Sequence, residues 1–206
     1  MSSDPWVATR GAFAEAARWF VSESAAAADS WQLPGLGEWS VLDLVGHTSR
    51  ALLTVESYLG SGPTAVEVPS ALDYSRRMLG AAGDPAAVAQ RGRDAGAALG
   101  SDPAAAVALI AERVLPLVQA ASCDALVGTP FGGRRLVDYL PTRTFELTVH
   151  TCDIATALGR PVRVPGAAAV ASFAVLAELA STNDLAGDLL LAATGRTGLP
   201  PGFTVL

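Results

Sequence analysis

The chain has 206 residues, half of them hydrophobic and only 17% charged, with a formal net charge of −6. That length suits one domain with a proper core. All 14 basic residues are arginine; an acidic chain with scattered arginines lacks the electrostatic footprint of a nucleic-acid binder, and the missing lysine excludes a Gly-Lys-Ser/Thr phosphate loop and Schiff-base chemistry.

The apolar composition is rich enough to predict a self-association surface, hence a homodimer. No apolar run approaches the roughly 18 to 20 residues of a spanning helix; the longest candidate, AAAVASFAVLAELAS, is short and carries Glu178. The start MSSDPWVATR lacks the basic and apolar regions of a signal peptide. The expectation is a cytoplasmic protein with no membrane partner. Cys123 and Cys152 fit no zinc-finger spacing and read as two buried thiols.

The first helix opens at DPW, with Asp4 as N-cap and Pro5 at the first helical position. Trp6, Phe13, Ala17, Phe20 and Ser24 recur at helical spacing and form its core face. A second helix starts after Ser40, where SVLD is a near relative of the capping box. It carries Leu44, His47, Ala51, Thr54 and Tyr58 on one stripe and stops at GSGPT. SALDYSRRMLGAAG and DPAAVAQRGRDAGAALG read as shorter helices closing on glycine. DPAAAVALIAERVLPLVQAAS is a longer one, with Pro116 expected to bend it. In DALVGTPFGGRRLVDYL two apolar runs flank a Gly-Gly turn, a weak β-hairpin signal. A helix then runs from Leu136 or Asp138 to Leu158, with Pro141 near its first turn and Gly159 ending it. Another extends through Ala180, followed by DLAGDLLLAATG and an extended tail. The sum is a single all-α domain over 1–206: a four-helix up-down bundle with additional short helices, a small hairpin, and a C-terminal extension at about 184–206.

The chain has only two histidines, His47 and His150. In FELTVHTCD, Glu146 and His150 stand at i and i+4, with Asp153 at i+7 of the same stripe. Side chains so placed converge on one point beyond the helix surface, as paired metal ligands do. Two ligands hold an ion poorly, and His47, on the inner stripe of another long helix, is the available third. Two imidazoles, one carboxylate and an open position make a catalytic rather than a structural zinc arrangement. Asp153 would orient His150. The competing reading is a hydrogen-bonded core histidine beside a chance glutamate. Arg143, one turn before Glu146, is a candidate for a salt bridge to it or for an anionic substrate group; Arg134 and Arg135 read as exposed and solvated. Trp31 and Trp39 read as core. A serine-hydrolase reading fails because the chain has no Gly-x-Ser-x-Gly.

GEWSVLDLVGHTSRAL, with Trp39 and Ser40 ahead of the helix bearing His47, resembles the opening ligand segment of the DinB-like superfamily, in particular the mycothiol-dependent maleylpyruvate isomerases and their metal-binding relatives. RTFELTVHTCDIATALGRP resembles the second segment of that branch, and LLLAATGR its tail. The resemblance implies that His47, Glu146 and His150 ligate a divalent metal (zinc foremost, nickel or iron otherwise), with water completing the shell. It also implies a low-molecular-weight thiol such as mycothiol. The isomerases proper carry an additional C-terminal domain, for which this chain leaves no room, and use an arginine inside the bundle. Arg76 or Arg77 in YSRRML lies a comparable distance downstream of His47; Arg77 is carried as the candidate. The functional expectation is a thiol-dependent S-transferase or isomerase acting on a small electrophile; the alternatives are a non-catalytic metal-binding or structural bundle and a metal-dependent hydrolase.

Overall fold

The computed structural model describes residues 4–62, 65–68, 74, 77 and 85–205. Among these, seven helices and one two-stranded sheet follow in order: α1 Pro5–Ala26, α2 Val41–Leu59, α3 Pro85–Ala98, α4 Pro103–Ala120, β1 Leu126–Thr129, β2 Gly132–Arg135, α5 Leu136–Ala157, α6 Gly166–Thr182 and α7 Ala186–Ala193. The protein is mostly helical with a small sheet. The helix expected around YSRRML falls largely outside the described residues.

The helix starts are set by local chemistry. Asp4 accepts from the Trp6 amide at 2.9 Å, with Pro5 in the first turn, where its missing N–H costs nothing. Ser40 and Asp43 form a full capping box: the Asp43 amide donates to Ser40 Oγ and the Ser40 amide to Asp43 Oδ2. Asp102 caps α4 through the Ala105 amide at 3.0 Å. α5 has no side-chain cap; the hairpin supplies its entry, with the Leu136 amide donating to the Ala125 carbonyl at 2.7 Å. It ends at Gly159, whose φ of +64° is a left-handed conformation that favours glycine.

A hairpin is present, an antiparallel pair in register from Leu126↔Arg135 to Thr129↔Gly132, but its turn is Pro130 and Phe131: Gly132 and Gly133, read as the turn, pair within β2, and the second apolar run opens α5. The hairpin's partner is the segment before α3: the Gly133 amide donates to Glu67 at 2.9 Å.

Helices α1, α2, α4 and α5 share one core that includes Phe13, Phe20, Leu44, Leu52, Val107, Val114, Tyr139, Leu140 and Ile154. α1 packs on α4 and α5, and α2 packs on α3, α4 and α5. α2 and α3 touch at two glycines: a Cβ on Gly46 would fall 2.2 Å from the Gly96 amide nitrogen. Trp6, Phe13, Ala17, Phe20 and Ser24 are all buried, as their spacing predicted. Beneath α6 and α7 lies a smaller cluster of Phe145, Val175, Leu179, Ala180 and Val205.

One expectation needs correction. α4 is 18 residues long with a mean hydropathy of 1.4, enough by length and composition to cross a membrane. Its apolar residues are interrupted by Glu112, Arg113 and Pro116, so no unbroken run announced it. Its Val107, Ile110, Ala111, Val114 and Val118 face the shared core, while its Arg113 pairs with Glu56 of α2 at 3.0 Å. A core helix has that pattern.

Candidate metal centre

α2 and α5 pack side by side, and their contact brings His47 to Glu146 and His150. One donor atom from each of the three lies within 4.8 Å of the others. His150 Nε2 is 3.5 Å from Glu146 Oε2, and His150 Nδ1 is 3.1 Å from Asp153 Oδ2. The two imidazoles meet edge to face, with centroids 5.0 Å apart. Trp39 stacks on the other side of His47 at 4.5 Å, and its indole N–H donates to the Ala89 carbonyl at 2.9 Å. Trp39 is therefore core, as read, and also a wall of the histidine site. Room for its ring comes from Gly92, where a Cβ would stand 2.4 Å from the indole.

The electrostatics follow from this geometry. Burial, with the neighbouring His150 adding to it, pulls the His47 imidazolium down to about 4, so His47 is neutral at pH 7. Burial acts on His150 in the same sense, but hydrogen bonds to Asp153 and Glu146 outweigh it and raise the imidazole to about 9. Burial alone would raise Glu146; the His150 hydrogen bond and the Arg143 charge overcome that and hold the carboxyl at about 2. The trio thus offers a neutral imidazole, a carboxylate and an imidazole that must lose its proton to bind an ion.

The donor set fits a divalent cation. His47 Nδ1 is buried with no hydrogen-bond partner, an orphaned nitrogen of the kind a ligand or ion satisfies. A tetrahedral ion about 2.1 Å from each ligand needs donors about 3.4 Å apart; the His150–Glu146 separation of 3.5 Å is already there. Side chains of His150 and Glu146 retain 17% and 23% exposure, which leaves an approach for a further ligand.

His47 and Glu146 also line a cavity of about 320 Å³, together with Arg50, Thr54, Tyr58 and Arg143. Arg143 is buried. Its Nε donates to Thr142 Oγ1 at 3.2 Å, Nη2 has no partner, and the guanidinium lies 5.2 Å from the Tyr139 ring and 5.6 Å from Tyr74. Burial opposes its charge, but Tyr139 and Glu146 more than compensate, so it stays cationic. It acts on Glu146 through its field; no salt bridge joins the two among the described residues. Arg77 is exposed and donates to the Phe131 carbonyl at 3.1 Å, at a residue of the cavity wall; Arg76 lies outside the described residues.

Arg134 corrects the sequence reading. Expected to be solvated, it is fully buried, 4.9 Å over the Tyr74 ring and 5.7 Å over Tyr139, with Nη2 donating to the Asp138 carbonyl at 2.5 Å. Arg135 is exposed, as expected, and pairs with Asp138 at 2.6 Å. The aromatic cluster of Tyr58, Tyr74 and Tyr139 escaped the sequence reading. A signal existed for two of its members: Tyr58 shares the His47 stripe, and Tyr139, Arg143, Glu146 and His150 recur at helical spacing. Cys152 lies on a different face of α5 from the histidine site, where it lines another cavity.

Residues 10–155 match the family model described as the mycothiol maleylpyruvate isomerase N-terminal domain. Neither the curated proteins nor the solved structures give a significant match.

Proposed function

Because the chain belongs to the mycothiol maleylpyruvate isomerase N-terminal domain family, we propose that it is a divalent-metal-dependent enzyme using a low-molecular-weight thiol of the mycothiol type on a small electrophile. His47, Glu146 and His150 are the proposed ligands. The observation that carries this reading is their convergence, within 4.8 Å, at the wall of a cavity large enough for a small reactant.

When bound, the ion supplies a lowered thiol pKa and hence a thiolate at neutral pH. The chain does the rest. Asp153 holds the His150 ring through Nδ1 and leaves Nε2 toward the site. Trp39 fixes the plane of His47 and keeps bulk water from its face. Arg143, buried with a free Nη2 at the cavity, receives a carboxylate of the thiol or the electrophile. Arg77, which donates to the carbonyl of the wall residue Phe131, is carried as a second candidate for the same end. The reaction class is S-transfer or cis–trans isomerisation through a thiol adduct.

The nitrogen and oxygen donor set favours zinc, then nickel or iron. The contacts α1–α5, α5–α2, α2–α4 and α4–α1 favour a four-helix bundle. Exposed Val170 and Leu190 favour a homodimer, and the soluble-type core favours the cytoplasm.

The test is metal content and thiol chemistry on tag-free protein. Parent protein should hold near-stoichiometric zinc or nickel, and His47→Ala and His150→Ala should lose it. Metal-loaded parent should consume a thiol-reactive electrophile in a thiol-dependent way. Metal bound with no such turnover would reduce the protein to a binding bundle; parent that refuses metal would remove the site.

A further inference from the structure

We propose that a second cavity, about 100° round α5 from Glu146 and His150, binds a neutral, mainly apolar small molecule bearing one hydroxyl or carbonyl, with Ser172 as its polar anchor. The cavity measures about 450 Å³, inside the range of about 300–1,000 Å³ that small-molecule sites occupy. Phe145, Val149 and Cys152 of α5 form one wall, and Ser172 and Leu176 of α6 another. The tail closes it with Leu199, Phe203 and Val205. The walls from α6, α7 and the tail lie beyond residues 10–155, so only the α5 wall of this site falls within the region that matches the family.

Its chemistry selects the ligand. None of the described lining residues has a charged side chain, so an ion entering would lose its hydration with no side-chain counter-charge among them to replace it. Cys152 belongs to the apolar wall.

Ser172 is the exception in this wall. It is 8% exposed, and its Oγ has no hydrogen-bond partner. Thr148, Thr151 and Thr182 take the carbonyl four residues back, at 2.7, 2.5 and 2.8 Å, and Ser49 and Thr142 the one three residues back, whereas Ser24 of α1 is, like Ser172, buried without a partner. A buried hydroxyl without a partner is destabilising. A ligand hydroxyl or carbonyl in the cavity supplies that partner. Phe173 and Leu199 stand at the rim, 66% and 43% exposed, and leave a way in.

The experiment titrates the full chain with the neutral fluorophore phenylnaphthylamine and displaces it with naphthalene or naphthol. We expect saturable single-site binding, with naphthol displacing at about three- to tenfold lower concentration, the worth of one hydrogen bond. Ser172→Val should keep fluorophore binding and abolish the naphthol preference. Ala169→Phe, which fills the cavity from α6, should weaken the fluorophore at least about tenfold, a loss expected when an overpacked wall excludes a ligand. Val149→Phe, from the other wall, gives the same reading should Ala169→Phe fail to fold. Absence of saturable binding, full binding in folded filled variants, or a naphthol preference that survives Ser172→Val would overturn the proposal.

Discussion

Asp153 Oδ2 sits 3.1 Å from Nδ1 of His150, one helical turn further along α5. The contact ties down the nitrogen that faces away from Glu146, so the ring presents Nε2 to the carboxylate at 3.5 Å. A carboxylate behind a ligating imidazole fixes its tautomer and raises its basicity. Asp153→Ala should therefore cost about 10–100-fold in metal affinity while leaving the fold intact. Competition against a chromophoric chelator measures it. Affinity within twofold of the parent would strip Asp153 of its orienting role.

The two imidazoles should give the metal-free protein a stability maximum near pH 6.5. His47 is depressed to about 4 in the fold, so it is neutral there while the unfolded chain protonates it; its contribution is present above about 6.5 and lost as pH falls through 4. His150 is raised to about 9, so its contribution is complete below about 6.5 and lost as pH rises through 9. Glu146, held at about 2, contributes above about 4.5 and fails only in strong acid. Metal must displace the His150 proton, so apparent affinity should climb between pH 6.5 and 9 and level off beyond. Urea melts across pH, with and without zinc, provide the check. A metal-free stability that rises from pH 7 to 9 would contradict the assignment for His150.

The meeting of His47, Glu146 and His150 could be read in part from the chain because two of the three sit at helical spacing. Glu146, His150 and Asp153 need only the periodicity of α5, and His47 needed only to be the remaining histidine. Residues whose surroundings come from distant segments could not be read this way. Arg134 looks like a solvated neighbour of Arg135, and only the meeting of the hairpin with Tyr74 and Tyr139 buries it. The Tyr58–Tyr139 contact at 5.9 Å joins α2 to α5, and nothing local announces it. The presence of a hairpin was legible but not its turn, which falls at Pro130 and Phe131 and leaves Gly132 and Gly133 paired in β2. The contact order of the long helices was not legible either, because amphipathic stripes say which face is buried but not against which neighbour.

The approach of α2 to α3 should be intolerant of a single methyl group. An alanine Cβ at Gly46 would lie 2.2 Å from the Gly96 nitrogen and 2.4 Å from its Cα. Both are backbone atoms, so relief requires the helices to part. Overpacking of this sort costs about 1–3 kcal/mol, or roughly 2–12 °C in Tm for a domain of this size. The matched control is Gly11→Ala in α1, where a Cβ meets nothing within 4 Å; there the lost unfolded-state freedom should stabilise by about 0.4–1 kcal/mol. Thermal melts of the two variants should move in opposite directions, and a neutral Gly46→Ala would mean the helices are not in backbone contact.

Arg143 should separate ion binding from substrate binding. Among the described residues it donates to Thr142 and leaves Nη2 buried and unpartnered at the cavity that Glu146 and His47 line. Arg143→Met removes that charge while preserving most of the side chain's length. Glu146 then loses one of the influences holding its carboxyl down, yet the His150 hydrogen bond still keeps it ionised at neutral pH. Metal content should stay near that of the parent. Small dicarboxylates that compete for the cavity should weaken by about 10–100-fold, the worth of a hydrogen bond to a charged group at about 1.5–3 kcal/mol. Calorimetric titration of the metal-loaded protein with such an anion reads this directly. Equal anion affinity in parent and variant would leave Arg143 a structural cation, held by Tyr74 and Tyr139 alone.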